Sequence, residues 1–295
     1  MPWTMYTAIY ELRSPLHIGY HKVGNLQRTR YYIPARNLWG AVTEALTRRG
    51  FAAADAPQGD YQKIGEWVKT HCAFGYWFVN ENQEFLKPCY TENGLKYGSL
   101  TVSQFERRYL GAHVTTALDP STTSAEEGSL HEIEFIAPYH LVNPDDGEPA
   151  LPTRIGGWVF LDETALPLLG DESKWRTWLG DLQIGGERRY GFGQMNLFGW
   201  VKQVKQDKGY TMRLDVKRPQ VNVQESYPLL AHAATDGVRG KGIIETLVGR
   251  ETDVKNSNLF GSKLTQGIIC WAPGTILESS HIFEISEDGI WKTVC

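Results

Sequence analysis

The densest run of chemistry-bearing residues is IGGERRYGFGQM, in which Gly185, Gly186, Gly191 and Gly193 surround Arg188, Arg189 and Tyr190. Glycines reach backbone angles closed to other residues and let a bound chain come close to the main chain. Two guanidinium groups suit bidentate phosphate contact and a phenol ring suits base stacking. The spacing therefore predicts a clamp for single-stranded nucleic acid. The competing reading is a glycine-rich hairpin whose arginines are only solvated. Neither standard nucleotide-binding loop fits. GxxxxGKS is absent, and these glycines follow a helical stretch and precede a strand, the reverse of the dinucleotide fingerprint.

A second set of such residues lies near the start of the chain. From Leu12 to Asn37 there are five cations, Arg13, Lys22, Arg28, Arg30 and Arg36, and no acid. His17, His21, Lys22, Tyr31 and Tyr32 fall on or around the same stretch. Metal-independent RNA cleavage uses His or Lys to move the 2′-hydroxyl proton and to stabilise the charge developing on phosphorus. In that chemistry His21 would be the base and Lys22 its electrostatic partner; in the plainer reading both only contact phosphate or solvent. The pairs Arg107 with Arg108 and Arg239 with Lys241 read as surface charge.

The charge balance reverses between Gly111 and Thr153, with Asp119, Glu126, Glu127, Glu132, Glu134, Asp145, Asp146 and Glu148 and no Lys or Arg. The net charge of −4 thus averages a cationic and an anionic surface, and excludes only a uniformly basic nucleic-acid binder. Cys72, Cys89, Cys270 and Cys295 are too few and too scattered for a disulfide scaffold, and no CxxC pair or second ligand pair makes a structural zinc site with His71 and Cys72. The chain has no long apolar run and no basic then apolar leader, which predicts a cytoplasmic protein with no membrane partner.

The elements that must position these groups follow from periodicity. TMYTAIYEL reads as a strand. Ala35 to Arg49 places Leu38, Trp39, Val42, Ala45 and Leu46 at helical spacing, with Pro34 at its start and Gly50 as its stop. A short helix is expected within Tyr61 to Phe78. EFLKPCY, KYGSLTVSQF and LHEIEFIAPYHL read as strands, the latter two joined by the polar linker TTALDPSTTSAEEGS. NPDDGEPALP reads as a turn, RIGGWVFL as a strand, and Glu163 to Leu182 as a second helix. The glycine-rich run then leads into a strand from Gln194 to Val201. This order predicts an α+β fold with a βαββαβ, ferredoxin-like and RRM-like core over residues 1–202, interrupted by insertions. Residues 203–295 add YTMRLDVKR, DGVRGKG, GIICWA and HIFEIS, and predict a β-rich extension packed on that core. Trp39, Trp175 and Trp178 fall at core spacing and are assigned to packing.

Four blocks in order, SPLHIG, YYIPARNLWGAVTEAL, HVTTALDPSTTSAEEGSLHEIEFI and IGGERRYGFGQM, resemble the RAMP superfamily of CRISPR-associated proteins over roughly residues 5 to 200. The first strand there ends in an LHIG-type turn, a yIP segment opens the first helix, and a glycine-rich loop precedes the last core strand. The third block is similar to backbone subunits of type III effector complexes, and WAPGTIL resembles a strand of some members. The resemblance implies an RNA-binding subunit of backbone or handle-capping kind. Its partners would be guide RNA, complementary target RNA and other effector subunits. Arg13, His21, Lys22, Arg28, Arg30, Arg36 and the loop from Gly185 to Gly193 would hold the RNA. Two departures matter. ARNLWG replaces the usual small residues at the helix start, and the aspartate that target-cleaving relatives carry after the first strand has no counterpart between Leu12 and Thr43. Asp119 is the nearest loop aspartate, and an Asp-Pro turn accounts for it. No cofactor is expected, and Mg²⁺ only if the chain cleaves target RNA. The alternatives are a metal-independent RNase that processes guide precursors and a metal-dependent target-cleaving subunit.

Overall fold

Met5, Tyr6, Thr7, Ala8, Tyr10 and Leu12 along TMYTAIYEL are all buried, so this strand places both of its faces in the core. It is the centre of a computed structural model that describes residues 2–141, 150–203, 207–251 and 263–294. The expected turn at 143–149, with Asp145, Asp146 and Glu148, and also Cys295, lie outside the described residues. In chain order the first elements are β1 (Thr4–Leu12), β2 (Gly19–Val23), β3 (Leu26–Thr29), β4 (Tyr32–Ile33), α1 (Ala35–Arg48) and α2 (Tyr61–His71). They are followed by β5 (Cys72–Glu81), α3 (Val102–Tyr109), β6 (Leu110–Thr115), β7 (His131–Ile136) and β8 (Arg154–Leu161). Next come α4 (Glu172–Leu179), β9 (Asp181–Gln183) and β10 (Gln194–Lys202).

The architecture is mixed α+β, rich in strands, and built from several sheets. The central one has the order β9-β10-β1-β8-β5-β4, with Glu84–Phe85 also paired to β5. Its four long strands, β10-β1-β8-β5, are antiparallel to their neighbours throughout. Helices cover one face. The Tyr10 hydroxyl donates to the Leu179 carbonyl at 2.6 Å and accepts from Trp175 Nε1 at 2.8 Å, which fastens α4 to β1. Trp175 also stacks on Trp200 at 3.9 Å, and Trp39 donates to the Gly65 carbonyl at 2.9 Å, tying α1 to α2. Trp178 meets Phe51 edge-on at 5.3 Å. All three tryptophans serve packing, as their spacing predicts.

The short helix expected within Tyr61 to Phe78 forms as α2, and the apolar run after it is β5, buried along nearly its whole length; a strand covered on both faces shows no alternation to read. Two local expectations change. KYGSLTVSQF does not form one strand, because Thr101 and Gln104 make a reciprocal capping box that starts α3 at Val102. The helix expected over 163–182 is interrupted at Gly170, and Asp171 caps a shorter α4 by accepting from the Lys174 amide at 2.9 Å.

The C-terminal strands are β11 (Tyr210–Arg213), β12 (Gln220–Val223), β13 (Ala233–Ala234), β14 (Ile244–Leu247), β15 (Ile268–Trp271), β16 (His281–Ile285) and β17 (Trp291–Thr293). They form a second sheet in the order β11-β12-β16-β17-β13-β15-β14. It meets the rest of the chain where Tyr210 lies edge-on to Trp158 at 6.2 Å, where Tyr76 bonds His232 at 2.8 Å, and where the Trp3 amide donates to the Leu214 carbonyl at 2.8 Å. One continuous apolar core runs through both sheets. Among the described residues no helix is long and apolar enough to cross a membrane.

Candidate nucleic-acid interface

The glycine-rich loop is a compact structure. A single 3₁₀ turn over Arg188–Tyr190 is bracketed by positive φ angles at Gly185 (91°), Glu187 (54°), Gly191 (85°) and Gly193 (78°). Two of these glycines also have no room for a side chain. A Cβ at Gly185 would strike the His17 carbonyl, and one at Gly193 the Ile184 carbonyl.

Close approach lets the loop close on the turn after β1. Gly186 N donates to the His17 carbonyl at 2.8 Å and Gly193 N to the Pro15 carbonyl at 2.7 Å. Gln194 N donates to Ser14 Oγ at 2.9 Å, and Arg13 N to the Gln194 carbonyl at 2.8 Å. From within, Gln183 Nε2 donates to the carbonyls of Arg188 and Phe192, both at 3.0 Å. Two sequence blocks about 170 residues apart are thus one backbone-bonded unit. β7 joins it, because Leu16 and Ile136 exchange backbone hydrogen bonds at 3.0 and 2.8 Å and buried His17 bonds the Glu134 carbonyl through Nδ1 at 2.7 Å.

With the backbone satisfied, the side chains face outward. Tyr190 is 76% exposed, and Arg189 is exposed with no ion-pair partner among the described residues. Arg188 contacts Glu44 at 3.2 Å while remaining 40% exposed. Beside Tyr190 lies a cleft of about 430 Å³ lined by Pro15, His113, Thr115, Ile133, Phe135 and Phe192. Phe135 and Phe192 meet edge-on at 5.7 Å across it. An aromatic cleft under a solvent-facing phenol can take an unstacked base, and the neighbouring guanidinium can take the phosphate.

The β2–β3 hairpin carries the rest of the cationic stretch, and it divides into two groups. Every residue of β2 is exposed, so His21 and Lys22 point to solvent, with the Tyr20 ring edge-on to His21 at 4.2 Å. Arg28 and Arg30 instead have protein partners. Arg28 bonds Glu106 and Glu134, each at 3.2 Å, and the Tyr31 hydroxyl at 2.6 Å. Arg30 pairs with Glu245 at 2.8 Å, donates to the Tyr32 hydroxyl at 2.8 Å and lies over the Tyr20 ring at 4.3 Å. Burial works against the Arg30 charge, but the Tyr32 and Glu245 groups more than restore it, so its pKa sits above the ordinary value. Arg36 opens α1 with its guanidinium against Gly249. Arg13 is half exposed and 3.4 Å from Glu11.

Asp119 belongs to neither group. Its carboxylate accepts from the Ser121 hydroxyl at 2.6 Å and the Ser121 amide at 2.7 Å, which lowers its pKa within an exposed turn. Among the described residues no three His, Cys, Asp or Glu side chains gather as a metal site would require.

Sequence reasoning misses the cleft walls and the anchoring acids Glu106, Glu134 and Glu245. Phe192 stands inside the GFG of the loop and Phe135 alternates along β7, but nothing local says that they face each other.

The two motif blocks that close on each other are among the four that resemble a known superfamily, and a model of that superfamily, RAMPs, matches residues 9–196. The chain belongs to the RAMP superfamily. Solved structures of like fold include two chains from one kind of complex. One is a chain of a Type III-B Cmr-beta complex bound to cognate target RNA and AMPPnP. It is 15% identical with a TM-score of 0.53, and the match covers 92% of this chain and 86% of that one. The other, from the Type III-B Cmr-beta complex bound to cognate target RNA, is 13% identical with a TM-score of 0.52 and the same coverage. No curated protein sequence matches the chain. The RAMP match ends at Asn196 in β10, whereas the fold likeness extends into the C-terminal sheet.

Proposed function

We propose that this RAMP protein is a non-catalytic RNA-binding subunit of a type III CRISPR effector ribonucleoprotein, holding guide RNA by its backbone or 5′ tag for target recognition. The observation that carries the reading is the glycine-rich loop bonded onto the turn after β1, with Arg189 and Tyr190 facing outward beside an aromatic cleft. The antiparallel order β10-β1-β8-β5 supports a ferredoxin-like, RRM-like core over residues 1–202, to which 203–295 adds its own sheet. The solved chains of like fold come from complexes bound to target RNA, which supports guide RNA, target RNA and other effector subunits as partners.

In this reading Arg13, Lys22, His21, Arg188 and Arg189 meet phosphate, and Tyr190 meets a base. Gly185, Gly186, Gly191 and Gly193 shape the clamp, while Arg28, Arg30 and Arg36 hold its frame. Phosphate contacts carry no sequence information, which suits a protein that must accept many guides.

The test is binding of a fluorescein-labelled oligouridylate by the full chain across a salt series, with gels of the same RNA after incubation in Mg²⁺ or EDTA. The logarithm of affinity should fall linearly with the logarithm of salt concentration, Arg189→Ala should reduce that slope by about 0.7, and the RNA should stay intact. Cleavage in EDTA that His21→Ala abolishes would make the chain a processing RNase. Cleavage that needs Mg²⁺ and fails in Asp119→Ala would make it a target-cleaving subunit.

A further inference from the structure

The β2–β3 hairpin forms one side of a four-stranded sheet of order β6-β7-β3-β2. β2 is its edge strand and is exposed along its length, while β3 pairs with β7 at Leu26 with Glu132 and Gln27 with Ile133. Beyond that pairing, two arginine side chains, one on β3 and one just after it, tie the hairpin to the rest of the chain. Arg28 is anchored within the N-terminal part of the chain, to Glu106 on α3 and Glu134 on β7. Arg30 is anchored elsewhere, to Glu245 on β14, the end strand of the C-terminal sheet.

The Arg30–Glu245 pair is largely withdrawn from water, with side chains 13% and 15% exposed. Glu245 is itself held. His232, fully buried on the same sheet, places Nε2 3.4 Å from the Glu245 carboxylate and bonds the Tyr76 hydroxyl of β5 through Nδ1 at 2.8 Å. On the other side of Arg30 lies the Tyr20 ring, next in sequence to His21 and Lys22. A continuous set of contacts thus runs from the central sheet through His232, Glu245 and Arg30 to the exposed strand of the hairpin.

We infer that Glu245 is a positioning residue for RNA binding: by fixing the Arg30 guanidinium and the Tyr20 ring over it, it sets where His21 and Lys22 face the nucleic acid. This rests on the RNA-binding reading above, and it gives the C-terminal sheet a role in guide binding without direct contact to RNA. The sign of the effect separates positioning from charge alone. Removing a carboxylate beside a cationic surface strengthens RNA binding if only long-range electrostatics matter. Removing one that holds the hairpin weakens it.

The experiment compares wild type, Glu245→Gln, Arg30→Gln, the double variant and Glu245→Asp in oligouridylate affinity and in amide hydrogen exchange over residues 19–29 without RNA, after circular dichroism has shown each to be folded. Glu245→Gln should bind at least about five-fold more weakly. The double variant should be no weaker than the weaker single one, because both remove one contact. Glu245→Asp, which keeps the charge and shortens the reach, should fall between. Hairpin amides should exchange faster in Glu245→Gln. Equal or tighter binding by Glu245→Gln with unchanged exchange overturns the inference. If wild type does not bind the oligonucleotide, the RNA reading falls by that result, and the exchange arm alone decides whether Glu245 holds the hairpin.

Discussion

Tyr190 stands 76% exposed on a loop whose backbone bonds are already made, so it contributes little to holding the fold. Its value lies in what it can stack on. Tyr190→Ala should lower affinity for single-stranded RNA by about 1 to 3 kcal/mol, the usual worth of one base stacked on an aromatic ring, and leave the melting temperature unchanged. Fluorescence anisotropy and a thermal melt measure the two. A buried residue makes the opposite kind of prediction. His140 is 6% exposed, between Tyr109 and Thr153, and burial, with the Arg108 charge second, pulls its pKa from 6.5 down to about 4. Because the unfolded chain takes up that proton first, stability is complete above pH 6.5 and is lost as the pH falls toward 4. Urea unfolding should show about 2 kcal/mol lost from this group between pH 7 and pH 5, and His140→Gln should lose correspondingly less. At this scale the residue types of the clamp are readable from sequence, as the arginine pair and tyrosine among glycines. Which cations are already engaged is not, because Glu106, Glu134 and Glu245 reach Arg28 and Arg30 from distant parts of the chain.

The loop and the turn after β1 act as one element, and glycine makes that possible. Gly193 has φ of 78° and faces the Ile184 carbonyl, while its amide reaches Pro15. Gly193→Ala should therefore destabilise the chain by at least about 1 kcal/mol from the backbone angle alone and weaken RNA binding with it. Denaturant unfolding paired with the anisotropy titration reads both effects. α1 and β10 are legible in the sequence because each has a wetter and a drier face, and hydrophobic periodicity records that difference, whereas β1, with no exposed residue, is legible through its aromatic and β-branched residues. β5 is illegible because it too lacks a wet face. It is covered by α1 and α2 on one face and by the C-terminal sheet on the other, so CAFGYWFVNE has no polar face to mark its period. The capping box that begins α3 was present in the sequence as TVSQ, but the alternation around it hid the signal.

At the scale of the molecule, the second sheet is structural cover for the first as well as an anchor for the hairpin. Tyr76 and Trp158 of the central sheet meet His232 and Tyr210, and the apolar core continues without a break between the two sheets. A chain ending at residue 202 should lose this cover and fail to give a cooperative thermal transition, whereas the full chain should unfold in a single one. Circular dichroism melts distinguish these outcomes. The order of motifs made the superfamily recognisable over the first two thirds of the chain, where glycines and a defined turn impose constraints that sequence retains. The C-terminal sheet is held by short strands and long-range pairing, which leave no comparable signature in the sequence.

A surface that holds guide RNA inside an assembly should carry that RNA through purification. The most direct measurement is to co-express the chain with its genomic neighbours and a guide array, purify through this subunit, and sequence the RNA that accompanies it. Discrete guide-length RNAs sharing a repeat-derived 5′ end are expected, retained together with partner proteins. Absence of RNA, or random cellular RNA that moderate salt removes, would contradict the guide-binding reading.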